Sequence, residues 1–389
     1  MQAIRVHPAP PSATPYSPTN PAPTTALHND QTPIPTPTAP NQLLIQIKAT
    51  TIIRDMLTWP ETYYQPYAIP GHDFSGIVAS VSPGSTTTLK PGSAVFGMTS
   101  ADRGSTWASY ALVTTDEVAL KPESLGWEEA AALPLSAQTA YEALFVHAGL
   151  QPPLLGGSAQ LEPQNQQEKD YQQAGQLGKR VLVTGAAGGV GIFLVQLAAR
   201  AGVHVVAASG SVARNGEFLK ELGADEVVEY ADLESGQEGR FDVIVDSVGG
   251  EVLERCWGLV KEGGALISVD SASFDFVEAH AKRGLKRDGI KALFFIIEGS
   301  GEVLRALSEL TARGELRSFV AASFGIDRVK EAYDYANGRF DGRGNTSSLS
   351  VENSNYRPIR LGRSTQLAQI IAQMQTMTSI TEMLQGKRP

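Results

Sequence analysis

The stretch Val181-Leu-Val-Thr-Gly-Ala-Ala-Gly-Gly-Val-Gly-Ile-Phe-Leu-Val-Gln-Leu-Ala-Ala-Arg200 holds the residues whose spacing best fits a chemical task. Ala186, Gly188 and Gly191 make an AxGxxG turn. Within it Ala187, Gly188, Gly189 and Val190 bring backbone N–H groups to a helix start, close enough to a pyrophosphate that no side chain intervenes. After the next apolar run come Ser209, Ser211 and Arg214. An NAD-binding site usually carries a carboxylate at this point for the ribose 2′-hydroxyl; here there is none, and the serines and arginine can hold a 2′-phosphate. This predicts NADPH as cofactor, although Arg214 also reads as a solvated residue at a helix start. Tyr63, Tyr64 and Tyr67 precede a Pro-Gly-His turn and are candidate proton donors or carbonyl binders, or simply walls of a pocket. No Ser/His/Asp nucleophile set and no paired carboxylates are readable.

These groups need elements to position them. Val181 and Val183 in an apolar run predict a buried parallel strand that ends at Gly185, and Val190, Phe193, Leu194, Leu197 and Ala198 follow at helical spacing. Further strands are predicted at 204–208, 226–230, 241–246, 264–269 and 292–297, as in a doubly wound α/β sheet. Asp246 ends the third of these, with Val248 just beyond it, where a carboxylate often caps a turn. Phe294 and Phe295 either line the pocket or pack in the core. Upstream, residues 1–7 and 43–48 alternate as strands, no cleavable leader is expected before them, and Pro-Gly turns punctuate 69–97. Residues 8–41, rich in Pro and Thr, read as an extended surface loop, and Pro134 should interrupt or start a helix.

With 389 residues, 42% of them hydrophobic, the chain is long enough for two domains. A net charge of −9 without a basic cluster argues against nucleic acid, and no apolar run reaches membrane-spanning length. The single cysteine, Cys256, excludes an internal disulfide framework and a multi-cysteine metal site. An intracellular, cytoplasmic enzyme is the expectation, with mitochondrial association left open.

Four segments in order, Pro70-Gly-His-Asp-Phe-Ser-Gly76, Lys90-Pro-Gly-Ser-Ala-Val-Phe-Gly97, Ala130-Ala-Ala-Leu-Pro134 with Thr139-Ala-Tyr141, and the Gly185–Gly191 turn, resemble the medium-chain dehydrogenase/reductase superfamily in its quinone oxidoreductase and enoyl-reductase branch. Within that branch the chain is most similar to fungal zinc-type-alcohol-dehydrogenase-like proteins and to reticulon-interacting oxidoreductase homologues. The resemblance implies a fold of class α/β, a Rossmann doubly wound parallel sheet plus a GroES-like β-rich catalytic domain. The expected division is 1–137 catalytic domain, 138–300 Rossmann domain with a polar insertion at 151–178, 301–344 a return to the catalytic domain, and 345–389 a divergent tail. It also implies that Thr139 approaches the nicotinamide carboxamide, that Asp246 and Val248 border the adenosine and ribose, and that the protein is a homodimer.

His72 matches the histidine that holds zinc in alcohol dehydrogenases of this superfamily. The expected cysteine is missing from 50–55, and the four-cysteine lobe is replaced by a short segment at 99–106, so no metal is expected and His72 reads as structural. In place of the family's final hydrophobic strand the chain reads Gly344-Asn-Thr-Ser-Ser-Leu-Ser-Val351 and then polar residues, which predicts loss of that strand. A helix over 366–384 with Leu367, Ile370, Ile371 and Met374 on one face follows. The expected activity is zinc-independent reduction of a quinone or α,β-unsaturated carbonyl compound by NADPH. A trans-acting enoyl reductase and a non-catalytic NADPH-binding protein are the alternatives.

Overall fold

The computed structural model describes residues 1–153, 176, 178–233, 239–338, 342–345 and the backbone of 347–350. Most of the polar insertion and the helix expected over 366–384 lie outside the described residues.

Strand β1 (Gln2–Val6) pairs antiparallel with β2 (Leu27–Gln31). This strand corrects the reading of 8–41 as a loop throughout. Only Leu27 of its five residues is buried, so His28, Asn29 and Asp30 conceal it from a hydrophobic pattern, and its register comes from backbone pairing. Strands β3 (Gln42–Ile52), β4 (Asp73–Val81), β5 (Ala94–Met98), β6 (Tyr110–Thr114) and β7 (Val118–Leu120) follow. Helix α1 (Trp127–Ala131) stops before Pro134, which begins α2 (Pro134–Tyr141) at its first position, where the missing N–H has no partner to lose. A π-helical turn, Glu142–His147, extends α2.

The second sheet is built from β8 (Arg180–Val183), α3 (Gly191–Arg200), β9 (His204–Ser209), α4 (Val212–Glu221), β10 (Glu226–Glu229), β11 (Phe241–Asp246), α5 (Gly250–Leu259), β12 (Val260–Ser268), α6 (Phe276–Lys282) and β13 (Lys291–Phe294). Its six strands are all parallel, in the order β10-β9-β8-β11-β12-β13. That is the doubly wound order, with its switch point between β8 and β11. Alternation along β8 feeds two cores. Val181 and Val183 join Phe193 and Leu197 on one face, while Leu182 joins Ile244, Trp257 and Leu266 on the other. The last strand ends at Phe294, three residues short of the expected end.

Helix α7 (Gly301–Ala312) puts Leu304, Leu307 and Leu310 into the Val181 core and bonds to the other sheet as well, with the Ser308 hydroxyl donating to the Leu120 carbonyl at 2.9 Å. The stretch 301–344 therefore does not belong to the antiparallel part alone. Strand β14 (Ser323–Gly325), α8 (Val329–Asn337) and β15 (Ser347–Ser350) complete the antiparallel sheet, in the order β14-β15-β3-β4-β5-β7 with β6 also on β3. Strand β15 overturns the expected loss of the final strand. Its residues pair antiparallel with Ala49–Ile52 and parallel with β14. A strand held on both sides by backbone ladders does not need the apolar run by which the sequence would reveal it.

Candidate active site

The switch point carries the glycine turn, the candidate cofactor cradle. Gly185 has φ +63°, and a Cβ there would collide with the Ser247 hydroxyl, so the turn requires glycine. A Cβ on Gly191 would run into the backbone of Gly185 and Ala186, so this glycine lets α3 approach the strand. The turn winds directly into α3: the Gly188 N–H donates to the Gly185 carbonyl at 2.8 Å, and the Ile192 and Leu194 N–H groups donate to the Gly188 and Val190 carbonyls, so the positive end of the α3 dipole lies at the glycine turn. Tyr230 closes one side, accepting the Gly185 N–H at 3.1 Å, and burial raises its phenol pKa. Val248, more than a third exposed, packs against Gly185 from the neighbouring loop.

Asp246 is fully buried at the end of β11. It accepts from the Thr184 hydroxyl (2.6 Å), the Ser268 hydroxyl (3.1 Å), and the N–H groups of Gly249 (3.0 Å) and Val248 (3.3 Å). Desolvation raises its pKa against these bonds. With four donors it ties β8, β11 and β12 together below the cradle. That is the turn-capping alternative for this residue.

Ser209 is buried and accepts from the Asn215 amide at 2.8 Å, while Ser211 caps α4 by accepting from the Arg214 N–H at 3.3 Å. The Arg214 side chain is exposed. Beside it stands Arg343, whose guanidinium donates to the Arg214 carbonyl and lies 4.6 Å from the Phe218 ring centroid. The Glu229 carboxylate also reaches this corner, accepting the Val212 N–H at 2.9 Å. Arg343 escaped the sequence reading because it comes from a segment more than a hundred residues downstream. Its neighbours Gly344 and Asn345 lock that segment onto the glycine turn. The Gly344 N–H donates to the Ala187 carbonyl at 3.0 Å, and the Asn345 amide donates to the Ala132 carbonyl. A Cβ on Gly189 would sit 2.8 Å from Asn345 Oδ1.

The two sheets meet at a small apolar cluster of Met98, Leu135 and Ile297, with Ile53 and Trp59 packed against it. Gln138 accepts the Ser300 N–H at 2.7 Å and Glu142 accepts the Gly299 N–H at 3.0 Å, which fixes the loop carrying Ile297. Thr139 is buried nearby, its hydroxyl donating to the Leu135 carbonyl at 2.7 Å. Ile297, not Phe295, reaches the cluster. Phe295 instead packs on His147, with ring centroids 4.2 Å apart.

None of the three tyrosines joins this cluster. Tyr63 donates to the Leu57 carbonyl and accepts from the Ala22 N–H at 2.9 Å, Tyr64 is exposed, and Tyr67 (φ +59°) packs on His7 and Arg5. Tyr63 and Tyr67 line a separate cavity of about 360 Å³ beneath Pro8–Tyr16. Trp59 and Ile297 are residues of the Met98–Leu135 cluster that the spacing did not reveal.

His72 is 2% exposed, with Nε2 3.1 Å from Glu61 Oε1. Asp73 beside it accepts from the Thr51 hydroxyl and the Leu135 N–H, each at 2.7 Å, and burial pushes its pKa up to about 7. These donors do not fit zinc. His72 Nε2 and both Asp73 carboxylate oxygens are committed to protein partners, and Cys256, its thiol pKa raised by burial, lies in the Trp257 core. Among the described residues no three His, Cys, Asp or Glu side chains converge on one point.

Residues 39–123 match the alcohol dehydrogenase GroES-like domain, and residues 222–340 match the zinc-binding dehydrogenase family. A probable mitochondrial zinc-binding oxidoreductase of Arthroderma benhamiae is 33% identical over 317 residues, 78% of this chain and 88% of that protein. The 2-methylene-furan-3-one reductase of Solanum lycopersicum is 31% identical over 279 residues, 69% of this chain and 60% of the relative. The quinone oxidoreductase of Coxiella burnetii superposes with a TM-score of 0.70 at 23% identity, covering 90% of this chain and 99% of that structure. The chain belongs to the medium-chain dehydrogenase/reductase superfamily, as an oxidoreductase with a Rossmann-like and a GroES-like part that uses a nicotinamide cofactor.

Proposed function

We propose that this chain reduces a quinone or an α,β-unsaturated carbonyl compound with NADPH and without zinc. The observation that carries the reading is the corner beyond β9, where Arg214 and Arg343 lie together beside the glycine turn. An arginine from each of two distant segments at this corner favours a 2′-phosphate, which a guanidinium can bind in bidentate fashion. Names of relatives support the acceptor class: quinone oxidoreductase homologues from Arabidopsis thaliana and Spinacia oleracea are 28% and 33% identical to this chain.

In the bound complex the α3 N-terminus and Gly188–Val190 would hold the pyrophosphate, and Arg214 with Arg343 the 2′-phosphate. The dihydronicotinamide supplies hydride. Met98, Leu135, Ile297 and Trp59 would exclude water from the acceptor, and much of the rate enhancement comes from such positioning. The donor set around His72 offers no zinc site, so activation of the acceptor falls to hydrogen-bond donors of the protein.

An acceptor screen tests the reading. Purified protein is assayed against quinones, enones and enoyl thioesters, each with NADPH and with NADH. Turnover of quinones or enones with NADPH is expected, unaffected by chelators. Cofactor binding without turnover of any acceptor would overturn it.

A further inference from the structure

The proline-rich run after β1 roofs the cavity of about 360 Å³ that Tyr63 and Tyr67 line, a size within the range of small-molecule sites. Its lining is drawn from residues 6–16 and 62–67, so it shares no residue with the glycine turn, the arginine corner or the apolar cluster around Ile297. Tyr16, Tyr63, Tyr67 and five prolines make most of the wall, and no Asp, Glu, Lys or Arg side chain lines it. Arg5 and Asp30, which flank it, are bonded to each other and to its rim: Asp30 Oδ2 lies 3.5 Å from the Arg5 guanidinium and 2.9 Å from His7 Nε2.

The wall is set by the protein's own bonds. Prolines fix their own φ, the Ala13 N–H donates to the Pro10 carbonyl at 2.8 Å, and the Asn20 amide donates to the Pro15 carbonyl at 3.1 Å. The Tyr63 hydroxyl ties the opposite wall to the Ala22 N–H. Tyr67 is 40% exposed and has φ +59°, a left-handed conformation that a bulky residue rarely adopts. Arg5 holds it there, with Nε donating to the Tyr67 carbonyl at 2.9 Å and the guanidinium carbon 4.7 Å from the ring centroid; the His7 ring meets the same ring edge-on at 5.0 Å. Strain of this kind persists where the surroundings over-determine it, and it gathers at ligand sites.

We infer that this cavity binds a neutral aromatic small molecule that is not the hydride acceptor. With no ionised side chain in the wall, a charged ligand would leave water uncompensated. An aromatic ring packs edge-on or offset against tyrosine rings and gains more than its buried area alone provides. The phenol hydroxyls and the Gln65 amide can each donate or accept, which suits a hydroxyl or carbonyl substituent. Walls already in place reduce the ordering cost of binding.

The test is calorimetric binding of 2-naphthol, its saturated counterpart 2-decalol and the anion 2-naphthalenesulfonate to the full chain, with and without saturating NADP⁺. 2-Naphthol should bind with a Kd below about 1 mM and about tenfold or more tightly than the other two, equally with and without NADP⁺. Ala9→Trp and Ala13→Trp add bulk to the cavity and remove no contact. Each should weaken 2-naphthol about tenfold and leave Tm and NADPH affinity unchanged, and Tyr16→Ala should weaken it several-fold. If Ala9→Trp does not fold, Ala13→Trp and Tyr16→Ala carry the test. Equal binding of the three probes, a 2-naphthol Kd above that limit, displacement of 2-naphthol by NADP⁺, or unchanged affinity in the folded variants overturns the inference. The proposed function stands or falls separately, on the acceptor screen.

Discussion

Each sheet buries an aspartate near its end of the active-site region, and the two are handled differently. Asp246 in the parallel sheet receives four hydrogen bonds, two from hydroxyls and two from the loop that follows it. Asp73 in the antiparallel sheet receives one hydroxyl and one N–H, and burial leaves its pKa near 7. The first arrangement organises a rigid cradle, because each oxygen is held twice. The second leaves a carboxyl close to neutrality beside His72, on the side of the molecule where the acceptor is expected. The cofactor end is built from saturated bonds, and the acceptor end keeps unsatisfied ones.

The largest expected effect breaks the rigid side. Gly191→Val drives a side chain into the Gly185 backbone and should cost about 3 kcal/mol or more, seen as a fall in Tm together with loss of dinucleotide binding. Asp246→Ala strands four donors at once. It should cost on the order of 3 kcal/mol and weaken both cofactors equally; selective loss of one cofactor would mean that Asp246 reads the ribose directly.

Asp73 sharpens the other half of the comparison. Its carboxyl pKa is raised from 3.8 to about 7, so between these values the folded chain binds more protons than the unfolded one. Its contribution to stability is therefore present at low pH and is lost as pH rises from about 4 to 7. Asp73→Asn should narrow the difference in Tm between pH 5 and pH 8, whereas Asp246→Asn, which removes a saturated acceptor, should lower Tm at both. The smallest effect belongs to Tyr63→Phe. The hydroxyl bridges Ala22 and Leu57, so the change should cost about 1 kcal/mol and leave kcat within twofold. A hundredfold fall in kcat would restore Tyr63 as a proton donor.

Much of the parallel sheet was legible in the sequence because buried parallel strands are apolar runs and the glycine turn has few alternatives. Val181–Arg200 and the run ending at Asp246 needed no tertiary information. Strands β2 and β15 were hidden for the opposite reason: backbone pairing holds them, and their polar residues carry no hydrophobic period. The site divides in the same way. Gly185, Gly191 and Arg214 follow from local spacing. Arg343, Asn345 and Ile297 reach the site only through long-range packing, and Trp59 looks like any other aromatic until its ring is found against that of His72.

The proposed preference for NADPH depends on a 2′-phosphate held by two arginines from distant parts of the chain. The direct measurement is equilibrium binding of NADPH and NADH to the wild-type chain and to Arg214→Gln and Arg343→Gln. NADPH should bind at least tenfold more tightly, each substitution should reduce that ratio several-fold, and NADH affinity should stay the same. Equal affinities in the wild-type chain, or a preference for NADH, would contradict it.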